Sequence, residues 1–194
     1  LFNAEVKDST MTGMFYSGNH WKEPFTAKRN DTFKLPDANQ LTYLKEGFGT
    51  VAFSFPDEKG NMISLDDERF KNKVVLVQIM GTWCPNCLDE TVYYKSLYDK
   101  YNKDGLEIIS VCYEVGKTLE EQISSITFFK NRMNLKFKFI AGGTASKNKA
   151  SDDFSMLNNI ISFPTSIFIG RDGEVKLVHT GFNGPGTGEY YTEY

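Results

Sequence analysis

The sequence has few of the features that mark several large protein classes. Three cysteines in 194 residues cannot form a multi-disulfide scaffold. No apolar run approaches the ~20 residues that a membrane-spanning helix needs. The 22 basic and 25 acidic side chains give a net charge of −3 without a block of one sign, which is atypical of nucleic-acid-binding proteins. We therefore expect a domain that neither spans a membrane nor binds nucleic acid.

The rest of the composition is that of an ordinary globular protein. Hydrophobic residues make up 40% and charged residues 24% of the chain, and the length suits one domain plus an appendage. The chain begins with Leu1 and without a signal peptide. We therefore expect it to be a piece of a longer precursor.

The first part of the chain differs from the remainder. Residues 11–16 and 24–29 have the composition of short strands around a turn. Two strands alone are marginally stable in water. We therefore expect residues 1–47 to be a β-rich extension, which packs on the following domain or ends a preceding one, and residues 48–194 to form the main domain.

Residues 48–194 predict an α/β domain, because apolar strands alternate with helical segments. The predicted elements are a hairpin (51–55 and 62–65), a short helical turn (66–72), a buried strand (74–80), a helix (85–102), a strand (106–113), a helix (119–132), a short strand (137–140), a helix (152–159) and a final hairpin (165–169 and 175–179).

The motif Trp83-Cys84-Pro85-Asn86-Cys87 follows the buried strand directly and opens a helix. Unpaired N–H groups and the helix dipole stabilise a thiolate there. We expect Cys84 to be exposed and nucleophilic, and Cys87, one turn later, to resolve a mixed disulfide on it. Pro85 suits the first helical turn.

A CxxC pair alone is a weak signal, because other sites share its spacing. Zinc would need two more ligands, and the chain offers only Cys112, His20, His179 and scattered carboxylates. Haem attachment needs a His after the second cysteine, where Leu88 stands. An inert structural disulfide stays open, although the strand-to-helix position favours reactivity.

This element order, with WCPNC after the central strand and Phe163-Pro164-Thr165 before the last hairpin, resembles the thioredoxin superfamily, in particular TlpA/ResA-like bacterial extracytoplasmic thiol–disulfide oxidoreductases. The resemblance covers residues ~50–194. It implies a thioredoxin-like fold, a central mixed sheet flanked by helices, here with an N-terminal β-hairpin and without a visible C-terminal helix. It also implies that Pro164 is cis beside the cysteines and that Phe163 and Thr165 bind substrate. A plain strand-start proline is the alternative for Pro164.

The resemblance also bears on proton transfer. Thioredoxin has a buried Asp six residues before the first cysteine, and Gln78 stands there, which cannot exchange a proton. In ResA-like proteins a Glu three residues after the second cysteine is thought to serve, and Glu90 matches it. Glu90 could accept the Cys87 proton; alternatively Asp89 and Glu90 only complement the helix dipole.

Other residues favour structural roles. Trp83 is expected to cover the site and Cys112 to be a buried thiol without a redox role. His20 and His179 show no partner pattern. The glycine-rich segment 181–188 lacks the Lys-Ser/Thr of a phosphate loop and predicts an ordinary loop.

The resemblance implies a thiol–disulfide oxidoreductase that reduces protein disulfides in the cell envelope without a cofactor or metal. Its partners would be protein thiols and disulfides and a membrane thiol electron donor, and it could be lipid-anchored through the missing N-terminus. The alternatives are a non-enzymatic binding module that docks partners beside Cys84 and Pro164, and a peroxiredoxin-like peroxidase. The latter's Pro-x-x-x-Thr-x-x-Cys site is absent here.

Overall fold

The computed structural model describes residues 1–17 and 21–192. The chain divides into two compact units, Leu1–Pro36 and Asp37–Tyr194. Among the described residues, no helix combines the length and the apolar character needed to cross a bilayer.

The first unit is an antiparallel sheet of three strands, β1 (Phe2–Lys7), β2 (Thr10–Ser17) and β3 (Trp21–Lys28). The two predicted strands are confirmed, whereas β1 was missed, although its residues alternate apolar and polar. Phe2 packs against Phe15 and Phe25, with ring centroids 4.8 and 5.5 Å apart. The predicted turn at 17–20, with His20, lies largely outside the described residues.

The second unit contains a two-stranded hairpin and a five-stranded mixed sheet. Its elements are α1 (Ala38–Leu41), β4 (Ser54–Pro56), β5 (Met62–Ser64), β6 (Val74–Met80), α2 (Pro85–Tyr101), β7 (Leu106–Glu114), α3 (Leu119–Arg132), β8 (Lys138–Thr144), α4 (Lys147–Asp153), β9 (Thr165–Ile169), β10 (Val175–Thr180) and α5 (Glu189–Thr192), with 3₁₀ turns at Glu68–Phe70, Asn102–Asp104 and Pro185–Thr187.

The five-stranded sheet has the order β10-β9-β6-β7-β8. β6 and β7 run parallel, as do β7 and β8, while β9 is antiparallel to both of its neighbours. The predicted mixed sheet flanked by helices is therefore confirmed. β6 is central, and its carboxyl end leads directly into the CxxC motif.

Both faces of this sheet are covered, which explains why β6 is apolar at every position except Gln78. Val75, Val77 and Ile79 pack on one side, in a core that includes Phe154. Leu76 and Met80 point to the other side, where α2 and α3 lie. Gln78 lies between Leu76 and Met80 on the same face of the strand, so its side-chain amide faces α2.

The second unit begins earlier than the boundary expected near residue 48. Thr42 is fully buried, and its hydroxyl accepts a hydrogen bond of 2.9 Å from Thr180. The Lys45 amide donates to Met156 O at 2.9 Å. Residues 37–47 thus pack on β10 and on the turn after α4. The expectation that the β-rich extension, given as residues 1–47, ends a preceding domain stays a prediction.

Three element bounds were wrong. Val51 and Phe53 are core residues, but only Ser54–Pro56 forms a strand. The helix predicted at 152–159 is instead α4 (Lys147–Asp153), capped by Ser146. Only Ala150 of α4 is buried, so no apolar period marked it. The short strand predicted at 137–140 is longer, because β8 continues through the small residues 141–143 to Thr144.

Candidate active site

The two motif cysteines lie at the start of α2. Cys84 is the N-cap residue, with φ −90° and ψ 115°, and Pro85 occupies the first turn as predicted. The Cys87 amide donates to Cys84 Sγ at 3.3 Å, a capping contact that directs an otherwise unpaired N–H group at the sulfur. All three cysteines are free thiols. The structure is therefore that of the reduced pair.

The two thiols differ in access. Cys87 is fully buried, and Cys84 is only 8% exposed, less open than expected. Cys84 nevertheless lines a surface groove of about 330 Å³. The other lining residues are Trp83, Ala145, Lys147, Ser162 and Phe163. A partner can therefore reach Cys84, whereas Cys87 lies behind it.

The environment also separates the pKa values of the two thiols. The Cys87 thiol donates a hydrogen bond to Cys84, and the Cys87 and Asn86 amides do the same, so the pKa of Cys84 falls to about 7 although burial opposes this. Burial, followed by the interaction with Cys84, raises the pKa of Cys87 well above its usual range. Near neutral pH about half of the Cys84 thiol is therefore ionised, whereas Cys87 stays protonated.

The loop before β9 lies against Cys84. The Phe163–Pro164 bond is cis, as the resemblance implied, and Phe163 O is 3.7 Å from Cys84 Sγ. The Thr165 hydroxyl is turned away, since it donates to Ser162 O at 2.8 Å and the residue is fully buried. Thr165 also pairs with both β6 and β10, so it lies within the sheet, whereas Ser162 and Phe163 line the groove.

Two aromatic rings, Trp83 and Phe163, line the groove, and Tyr113 packs behind Phe163. Trp83 is 48% exposed and meets Phe163 edge to face at 6.2 Å. Phe163 stacks on the buried Tyr113 at 5.8 Å and 9°. The Trp83 indole N–H donates to Tyr113 O at 2.9 Å. Trp83 therefore has a fixed orientation beside Cys84, consistent with the predicted cover.

Glu90 is fully buried on α2, behind the cysteines. Its carboxylate accepts from Gln78 Nε2 at 2.8 Å, from the Ser166 hydroxyl at 3.0 Å and from the Tyr94 hydroxyl at 3.3 Å. The same Gln78 amide N–H₂ lies 3.4 Å from Cys87 O. Gln78, which stands where thioredoxin has its buried Asp, thus donates a hydrogen bond to Glu90, the residue predicted to take over the role of that Asp.

Sequence reasoning missed Tyr113 and Glu114, at the carboxyl end of β7. Tyr113 supports Phe163, and Glu114 binds the Thr82 amide and hydroxyl. A signal was available, because a glutamate that ends an apolar strand next to the motif-bearing strand is brought to the same sheet edge as the motif.

The remaining candidates have surroundings typical of structural residues. Cys112 is fully buried, and burial raises its pKa well above the usual value, as expected for a structural thiol. His179 Nδ1 lies 2.7 Å from Asn39 Oδ1. Within residues 1–17 and 21–192, no group of three or more His, Cys, Asp or Glu side chains is arranged to hold a metal ion.

Comparison with known proteins gives a consistent result. A family model described as Redoxin matches residues 34–193. A thiol-disulfide oxidoreductase ResA from Geobacillus kaustophilus is 33% identical over 142 residues, 73% of this chain and 73% of that protein. A ResA from Bacillus thuringiensis is 33% identical over 125 residues, which are 63% of this chain and 62% of that protein. The match therefore spans slightly less than two thirds of that relative's length.

Solved structures show the same fold. A thiol-disulfide oxidoreductase from Bacteroides fragilis superposes with a TM-score of 0.55 at 20% identity, over 75% of this chain and 96% of that one. The thioredoxin domain of a thiol-disulfide oxidoreductase from Bacteroides vulgatus gives 0.54 at 24% identity, over 78% and 96%. The chain belongs to the Redoxin family, and within it is a ResA-like thiol–disulfide oxidoreductase with a thioredoxin-like fold.

Proposed function

We propose that this oxidoreductase reduces protein disulfides in the cell envelope, with Cys84 as the nucleophile and Cys87 as the resolving thiol. The observation that carries the proposal is the contrast between the two thiols. Cys84 lines an open groove and has a pKa of about 7, whereas Cys87 is fully buried and its pKa is raised. Only Cys84 combines access with thiolate character.

The reaction then has two exchange steps. The Cys84 thiolate attacks one sulfur of a substrate disulfide, forms a mixed disulfide and releases the other substrate sulfur as a thiolate, which takes up a proton. Cys87 loses its proton and attacks the Cys84 sulfur, so that the Cys84–Cys87 disulfide forms and the second substrate thiol leaves. The substrate gains two electrons and two protons, and the enzyme dithiol loses both. No bound cofactor is needed.

Glu90 is the proposed acceptor of the Cys87 proton. Both residues are fully buried on the same face of α2, where bulk water does not supply a base. The donors from Gln78, Ser166 and Tyr94 hold the carboxylate in place. This burial argues against the alternative in which Glu90 only complements the helix dipole from the surface.

The groove beside Cys84 is the proposed binding surface for the substrate chain. The backbone of Phe163, directly before the cis proline, would pair with an extended peptide segment, while Trp83 covers one wall. The pairing suits a protein substrate, because an open strand-like backbone recognises a main chain.

The direction, the electron donor and the location rest on the resemblance to TlpA/ResA-like proteins. A membrane thiol protein would return two electrons to the oxidised Cys84–Cys87 pair after each cycle, outside the cytoplasm. A reduction potential near −270 mV, as in thioredoxin, would support this direction, and one near −120 mV, as in DsbA, would contradict it.

Trapping of the intermediate tests the assignment of roles. The Cys87→Ser variant should accumulate a mixed disulfide with an oxidised protein that carries an accessible disulfide bond, detected by mass spectrometry and reversed by dithiothreitol. The Cys84→Ser variant, its matched control, should accumulate none. If Cys84→Ser formed the adduct, or if it retained disulfide reduction, the proposed roles would be wrong.

A further inference from the structure

Glu114 is a buried carboxylate that the mechanism above does not use. It ends β7 and is 2% exposed. One carboxylate oxygen accepts from the Thr82 amide at 2.8 Å, and the other accepts from the Thr82 hydroxyl at 2.7 Å. Both oxygens are therefore directed at one residue of the segment between β6 and Cys84.

The neighbouring residue Tyr113 binds the same segment. Its carbonyl accepts from the Trp83 indole at 2.9 Å. Gly81 completes this packing, because a Cβ there would lie 2.3 Å from Trp83 Nε1 and 2.8 Å from Tyr113 O. The end of β7 thus fixes Thr82 through a side chain and Trp83 through the backbone.

A buried carboxylate is costly unless hydrogen bonds or a cation compensate it. Within the described part of the chain, no ion pair includes Glu114. Burial raises the pKa of Glu114, and the two Thr82 hydrogen bonds counteract that rise. Charge-assisted bonds of this kind are about twice as strong as neutral ones, so Thr82 is the main partner that holds this carboxylate.

We propose that Glu114 is a positioning residue for thiol–disulfide exchange, which fixes Thr82 and thereby holds Trp83 against Phe163 as a wall of the substrate groove. The inference rests on the proposed function. The groove is the surface at which a protein substrate meets Cys84, so the loss of this wall weakens substrate binding. Glu114 is not among the groups that shift the pKa of Cys84, so the thiolate itself should be unaffected.

Trp83 provides a direct optical readout. The chain has two tryptophans, so a Trp21→Phe background leaves Trp83 as the sole emitter. In this background Glu114→Ala should shift the emission to longer wavelength and lower its anisotropy. Glu114→Gln should restore the wild-type signal, because its amide can accept from the Thr82 N–H group and donate to the hydroxyl.

Kinetics provide the second readout. Glu114→Ala should raise the KM for a protein disulfide roughly tenfold, the loss expected for a charge-assisted hydrogen bond. The midpoint of Cys84 alkylation against pH should stay near that of the wild type. If Glu114→Ala does not fold, Thr82→Val, which loses only the hydroxyl bond, should give the same changes at smaller size.

Glu107→Ala is the matched control. Glu107 lies on the same strand, at its other end, and pairs with Arg69 at 2.8 Å. It should change neither the emission nor the KM. The proposal is overturned if Glu114→Ala matches this control, if Glu114→Gln behaves like Glu114→Ala, or if the alkylation midpoint moves. Retained reduction by Cys84→Ser would instead refute the proposed function, and the emission result would be unaffected.

Discussion

Replacement of Cys87 by alanine should raise the pKa of Cys84 by about one pH unit. Three hydrogen bonds lower the pKa of Cys84 from 9.0 to about 7, and the one from the Cys87 thiol is the largest of them. Burial raises the pKa, so the three hydrogen bonds together must lower it by more than the net change of about two pH units. The largest of the three must therefore supply more than a third of that net change.

This change is large enough to measure as a rate. At pH ~7 a thiol with a pKa of about 7 is about half ionised, whereas one with a pKa of about 8 is about a tenth ionised. Alkylation of Cys84 by iodoacetamide at this pH should therefore slow about fivefold in Cys87→Ala. The rate is measured on reduced protein from pH ~5.5 to ~10 by mass spectrometry, so that the midpoint is obtained directly.

Cys87→Ser is the matched control. Serine keeps a hydroxyl donor at the same position, so its Cys84 midpoint should remain close to about 7. The buried Cys112 should stay unmodified in every variant. If Cys87→Ala titrated together with Cys87→Ser and the wild type, the hydrogen bond from the Cys87 thiol would not be the main cause of the low pKa. Circular dichroism of both variants checks that the fold is intact.

Three further predictions address other parts of the molecule. Glu90→Gln should slow resolution of the mixed disulfide roughly a hundredfold, whereas Asp89→Asn should not, and an unchanged pH profile in rapid-quench kinetics would rule out proton transfer by Glu90. Burial would raise the pKa of Asp57, but its hydrogen bonds, first from Lys138, hold it at about 2, below the usual 3.8. A depressed folded-state pKa contributes stability above the unfolded-state value and loses it as the pH falls. In urea unfolding Asp57→Asn should therefore cost about 1–2 kcal/mol at neutral pH and progressively less from pH ~4 to ~2; a constant difference would contradict this. Gly81→Ala should lower the unfolding temperature and shift the Trp83 emission to longer wavelength, because the new Cβ would clash with the indole ring. An unchanged unfolding temperature and emission would refute this close packing.

Much of this protein is specified locally. The helix predicted at 119–132 coincides with α3. Its start is fixed by the capping box of Thr118 and Glu121, and its apolar residues recur at helical spacing within the same segment, so both signals are local. β6 was predicted because a run that is apolar on both faces, here with Gln78 as its one polar residue, is typical of a strand covered on both sides. The placement of a CxxC pair directly after that strand determined the chemistry of the site, since a helix N-terminus stabilises a thiolate in any fold.

Other elements lacked a local signal. α4 buries only Ala150, so no hydrophobic periodicity marked it, and the turn after it is held by long-range contacts such as that between Lys45 N and Met156 O. The small residues of β8 resemble a loop, but they pair with β7. These elements depend on neighbours that are distant in sequence.

The sequence by itself determined the two thiols, their order on α2 and the class of reaction. Only the tertiary structure decided the partners of these groups, because the contacts join residues far apart in the chain. Phe163 O meets Cys84 across 79 positions, and Glu114 meets Thr82 across 32. No local propensity encodes such a distance, since it depends on how the strands are ordered in the sheet and which ends they bring together.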